Sequence, residues 1–264
     1  MPHTPPIEYF LSYFTDTNLF GVIIAILFGA IWIACFKPPL FQRLWLWEIL
    51  AGSAIITLIA ISFIQIPVQN AIGKDITELM SAYNIARAIL LNGIPLAIVA
   101  GVVQEGAKLI PPVIYWLLQK RDVNTRLMII IGAIAGAGFG IFEAQWVHNM
   151  YFAVGWNWAI LQDQGLITLV PFVERFIIIA FHTGACALTS YGLTKGLGWL
   201  YYLAIAAVHA IIEYGNYLIL AKALPFAAIE IYIAILSLLV VATALWLRWR
   251  KQTEVEMHIK TSGV

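Results

Sequence analysis

The stretch Leu127–Phe152, LMIIIGAIAGAGFGIFEAQWVHNMYF, decides the fold. It exceeds the roughly 20 apolar residues that a helix needs to cross a hydrocarbon core. It carries a single carboxylate, Glu143, and a single imidazole, His148. Six further runs of the same kind fall at about 18 to 36, 45 to 66, 94 to 118, 166 to 194, 198 to 220 and 226 to 247. In lipid the backbone must satisfy its own hydrogen bonds, and no segment alternates as a barrel strand does, so helices are the expected answer. The expectation is an all-α polytopic membrane protein of about seven transmembrane helices.

Composition agrees. Of 264 residues, 62% are hydrophobic and 11% charged, with a mean hydropathy of +0.88; soluble domains are about half apolar and a quarter charged. A formal charge of +1 offers nothing to nucleic acid, so partners are sought in the lipid bilayer. Cys35 and Cys186 lie in apolar runs and read as small hydrophobes, without a disulfide framework. The first ten residues contain no Lys or Arg, and a removable signal peptide is not expected. The whole chain, 1–264, reads as one membrane domain.

Turn chemistry places breaks at Lys37-Pro38-Pro39, Pro67, Gly196 and Pro225. Between Val68 and Asn92, Ile72, Ile76, Leu79, Met80, Tyr83, Ala86 and Leu90 recur at helical spacing in a polar background, which predicts an amphipathic helix in the interface. Trp156-Asn157-Trp158, with Asp163 and Gln164, reads as an interfacial loop. Setting Lys108 and Arg175 aside as intramembrane residues, an external N-terminus puts ten cations in the cytoplasm (Lys37, Arg43, Lys120, Arg121, Arg126, Lys195, Arg248, Arg250, Lys251, Lys260). Only Lys74, Arg87 and Lys222 then lie outside. The positive-inside rule therefore predicts an external N-terminus and a cytoplasmic C-terminus, in a multi-pass protein of a prokaryotic plasma membrane.

A charge at the bilayer centre costs about 2.5 to 3.5 kcal/mol even on the lenient insertion scale, so each demands a partner or a task. The third span carries Glu105 and Lys108, the fourth Glu143, the fifth Glu174, Arg175 and His182, and the sixth His209 and Glu213. At about 1.5 Å per residue, Glu105, Glu143, His182 and His209 fall near one depth, where four helices can bring them into one cavity. Taken singly, most have a structural reading. Glu105 and Lys108, at i,i+3, can neutralise one another; Glu174-Arg175 reads as an ion pair; His148 reads as interfacial. Small residues, Gly101 and Gly106 in the third span and Gly132, Gly136, Gly138 and Gly140 in the fourth, predict close helix packing around the cluster.

Glutamate and histidine together can activate water, protonate a leaving amine and face a developing oxyanion, the three requirements of peptide hydrolysis. A metal is the other route: Glu143, His182 and His209 form a three-ligand set suited to Zn2+, with Glu105 as base. No His-Glu-x-x-His helix occurs, so that route rests on ligand type alone.

Gln104-Glu105-Gly-Ala-Lys108, Gly138-Phe139-Gly-Ile-Phe-Glu143, Glu174-Arg175 with His182, and His209-Ala-Ile-Ile-Glu213-Tyr-Gly-Asn216 follow one another on successive spans. In this order they resemble the four-motif series of the type II CAAX-protease clan, and are most similar to its PrsW and YhfC branches, over about residues 96 to 220. The resemblance implies an intramembrane endopeptidase acting on membrane-associated protein or peptide substrates. Glu105 and Glu143 take the acidic roles, His182 and His209 match the family's histidines, and Asn216 is a further candidate. One departure stands out: the first motif of the family usually opens with paired glutamates, and here the first is Gln104, which cannot act as a base. A non-catalytic scaffold of the same fold is therefore one alternative, and a proton-coupled transporter using the carboxylates as a relay is another.

Overall fold

The computed structural model describes residues 5–15, 17–80 and 85–250, the side chains of 74–80 excepted. Among them every regular element is helical: α1 (Pro6–Ser12), α2 (Leu19–Phe36), α3 (Trp45–Ala60), a π turn (Ile61–Gln65), α4 (Ile66–Met80), α5 (Ile85–Leu118), α6 (Thr125–Ala153), α7 (Trp158–Gln164), a 3-10 turn (Gly165–Leu169), α8 (Val170–Thr194), α9 (Gly198–Leu220) and α10 (Phe226–Trp249). Among the described residues seven helical stretches are long and apolar enough to span a membrane. The chain is thus an all-α polytopic membrane protein, and its outward faces are the apolar ones a bilayer covers.

Three of the expected breaks are present. Lys37 ends α2 in the left-handed region, Gly196 does the same after α8, and Pro225 caps α10. Pro67 does not break the chain: α3, the π turn and α4 run on as one helical stretch. Proline normally clashes with the carbonyl four residues back, and the wider π turn just before it relieves that contact. The polar stretch from Val68 is likewise not a separate element. Its first part extends the second span, and its last part, from Ile85, is the start of α5, which passes through Pro95 without interruption. The side chains of Lys74, Ile76, Leu79 and Met80, and Tyr83, Lys251 and Lys260 altogether, lie outside the described residues. Trp158 to Gln164 is a short helix rather than a loop, because Asn157 caps it by accepting from the N–H groups of Ala159 and Ile160.

The bundle is organised on α6, the most buried of the spans, which packs on α8, α3 and α2. Its glycines make this packing possible. A Cβ at Gly136 would run into the backbone carbonyl of His182, and one at Gly138 into that of Leu50. Gly101 plays the same part between α5 and α9, where a Cβ would meet the carbonyl of Ala206. Backbones at this distance carry short side chains into contact across the interface. That is how α6 and α8, and α5 and α9, are held close enough for their polar residues to meet.

Candidate functional site

Four helices supply one buried polar network. On α5, Glu105 and Lys108 share a face at i,i+3, and Lys108 Nζ donates to Glu105 Oε1 at 2.6 Å. From α9, His209 Nδ1 lies 2.5 Å from the same oxygen. From α8, His182 Nδ1 lies 2.7 Å from Lys108 Nζ, while its Nε2 lies 3.0 Å from Glu143 Oε2 on α6. Arg175, two turns before His182 on α8, brings Nη1 to 3.5 Å from Glu143 Oε2 and also bonds Glu174. The four residues expected near one depth are therefore joined in one hydrogen-bonded chain through Lys108, but they do not share a cavity, since Glu143 alone of the four lines one. Glu174 and Arg175 form an ion pair, as expected.

Donor and acceptor roles follow from the partners. An ammonium only donates, so His182 Nδ1 accepts from Lys108 and its Nε2–H donates to Glu143. Glu105 only accepts when ionised, so His209 donates to it through Nδ1–H. Lys108 is fully buried, with Nζ 5.2 Å from the Phe139 ring centroid and 5.9 Å from that of Phe181. Those aromatic faces add cation–π attraction where water is absent.

The two carboxylates differ in access. The Glu105 side chain is 2% exposed and its Oε1 serves two donors; that of Glu143 is 22% exposed. Glu143 opens on a cavity of about 210 Å³ lined also by Gln65, Gln69, Gln104, Glu213, Tyr9 and Tyr13. Gln104 Nε2 donates to Gln65 Oε1 at 3.1 Å, and Gln69 Nε2 to the Leu96 carbonyl at 2.8 Å. Tyr13 and Trp146, with ring centroids 5.2 Å apart, pack where α1 meets α6 beside the cavity. The wall formed by Gln65, Gln69, Tyr9 and Tyr13 was not anticipated. The available signal was amide side chains at the end of an apolar run, and the π turn that ends in Gln65 sets where that side chain points.

The metal-ligand expectation is revised. The carboxylate that joins the two imidazoles is Glu105, not Glu143: Glu105, His182 and His209 offer ligand atoms all within 4.8 Å of one another, and such a group could hold a metal ion. Lys108 Nζ, however, is already hydrogen-bonded to two of the three. A metal ion held by this group would have to displace the ammonium from Glu105 and His182.

His148, near the end of α6, is fully buried in the bundle, with Nδ1 3.1 Å from the Gly21 carbonyl. Asn216 is exposed on α9 and does not line the cavity. Comparison of the chain with family models, with curated proteins and with solved structures finds no match, so the resemblance to the CAAX-protease clan rests on the motifs themselves.

Proposed function

We propose that the protein is an intramembrane peptidase that hydrolyses peptide bonds of membrane-associated protein substrates, with Glu143 as the base that activates water. The observation that carries this reading is a carboxylate oriented by the His182 N–H at 3.0 Å and opening on a polar cavity enclosed in an apolar bundle. In the proposed reaction a water in that cavity gives a proton to Glu143 as its oxygen attacks the scissile carbonyl. Breakdown of the tetrahedral species breaks the C–N bond as Glu143 returns that proton to the leaving amine. The amide groups of Gln104 and Gln65, which line the same cavity, supply N–H donors for a developing oxyanion.

Lys108, Glu105 and His209 act through His182: they fix its tautomer and hold its ring against Glu143. They are positioning residues in this scheme, and Gln104 is no obstacle to it, since the base is on α6. No step is routed through Zn2+, which would have to displace Lys108 from Glu105 and His182. The distribution of basic residues supports an external N-terminus and a plasma-membrane location.

Glu143→Gln, Glu105→Gln and His182→Ala variants, reconstituted and offered a panel of membrane-spanning peptides, test the proposal. Loss of cleavage in Glu143→Gln is expected; undiminished cleavage there defeats it. A non-catalytic scaffold is favoured by one specific feature, the saturation of Glu105 Oε1 by Lys108 and His209. It predicts no cleavage by the wild type and a partner chain retained in mild detergent.

A further inference from the structure

A second cavity lies apart from the polar network. The consecutive helices α2 and α3 make their principal contacts with α6, α8 and α5 rather than with each other. Between them remains an apolar cleft of about 920 Å³, floored by Ile141, Phe142 and Gln145 of α6. Along α2 it is lined by Val22, Ile26, Ala30, Ile33, Ala34 and Lys37. Ala30 and Ala34 provide its depth.

The dimensions admit an acyl tail. The sixteen residues from Val22 to Lys37 rise about 22 Å along the helix axis. A cleft of that length with an apolar lining along α2 takes an extended hydrocarbon chain.

Charge identifies the head. Among the described residues Lys37 is the only Lys, Arg, Asp or Glu in the lining, and it stands at one end. Its Nζ lies 5.1 Å from the centroid of the Trp249 ring, and the guanidinium of Arg248 lies 4.6 Å from that same ring. Arg248 is further fixed by donating from Nε to the Phe36 carbonyl at 3.2 Å, and Trp249 by donating to the Cys35 carbonyl at 3.1 Å. Two cations are thus held on one indole, and among the described residues no carboxylate forms an ion pair with either. A phosphate placed there would answer both charges, as in basic sites between helices that bind anionic headgroups.

We propose that this cleft binds an anionic glycerophospholipid, with its phosphate at Lys37 and Arg248 and an acyl tail along Ala34, Ala30 and Ile26. The cleft shares Tyr13 with the polar cavity but none of its carboxylates, and the proposal does not rest on peptidase activity.

The test uses the full-length protein stripped of lipid in detergent, then offered dioleoyl phosphatidylglycerol or dioleoyl phosphatidylcholine. Bound lipid is counted by native mass spectrometry and thermal stability is followed in parallel. The wild type is expected to retain one phosphatidylglycerol about tenfold better than phosphatidylcholine and to melt higher with it. Lys37→Gln combined with Arg248→Gln, the two cations on the Trp249 ring, should erase the preference while still admitting both lipids. Ala34→Phe, which fills the channel, should lose both; Ala30→Leu is the milder variant if Ala34→Phe does not fold. Equal retention of the two lipids by the wild type overturns the proposal. So does undiminished phosphatidylglycerol binding by a folded channel-filling variant, or a dimer of the protein that such a variant dissociates.

Discussion

Lys108 Nζ lies 2.7 Å from His182 Nδ1, and this contact determines which edge of the imidazole is presented to Glu143. With Nδ1 accepting from an ammonium, Nε2 must carry the proton, so His182 is a donor to the carboxylate and not a base. A lysine on α5 thereby controls a pair formed between α8 and α6.

Replacing Lys108 with Met should be costly twice over. It leaves the Glu105 carboxylate buried with only His209 to bond, and breaking a buried ion pair from one side destabilises by about 3–5 kcal/mol. It also releases the His182 tautomer. Denaturation in detergent micelles, followed by helical circular dichroism, should show the lost stability. In the double variant Lys108→Met, Glu105→Gln, where no uncompensated charge remains, most of that loss should be recovered while activity stays low.

Glu143→Gln should separate chemistry from folding. The amide keeps the shape and still accepts from His182, but it cannot take a proton. Turnover should fall roughly a hundred- to ten-thousand-fold, the usual contribution of a general base, with a melting temperature close to that of the wild type. A fall in stability comparable to that of Lys108→Met would instead assign Glu143 a structural role.

Gly136→Ala probes the backbone contact that brings α6 to α8. The added methyl meets the His182 carbonyl, and overpacking of this kind costs about 1–3 kcal/mol. Because the helices must part to admit it, the hydrogen bond from His182 to Glu143 should lengthen and activity should fall more steeply than stability. Equal activity and stability in this variant would contradict the close approach.

Chelation should leave activity and melting temperature unchanged, since Lys108 already bonds Glu105 and His182. Elemental analysis of the purified protein should find well under one equivalent of zinc. A loss of activity on chelation that zinc restores would show that a metal displaces the lysine.

The sequence alone determined that the chain lives in lipid and crosses it as helices, because a bilayer core dictates both the length and the apolarity of each span. The Glu105–Lys108 pair was legible for a related reason: its partners lie at i,i+3 on one helix face, where geometry is fixed by the local repeat. For Glu174–Arg175, adjacent in sequence, the signal was opposite charge within one apolar span. Three features became visible only in the tertiary structure: the pairing of His182 with Lys108 and Glu143, the burial of His148, and the cavity wall of Gln65, Gln69, Tyr9 and Tyr13. Each depends on how helices are rotated and set in depth against their neighbours. That rotation is settled by contacts such as Gly136 on the His182 carbonyl and Gly101 on that of Ala206, and by a π turn that re-aims Gln65. Hydropathy reports how apolar a segment is and says nothing of which neighbour its polar face meets.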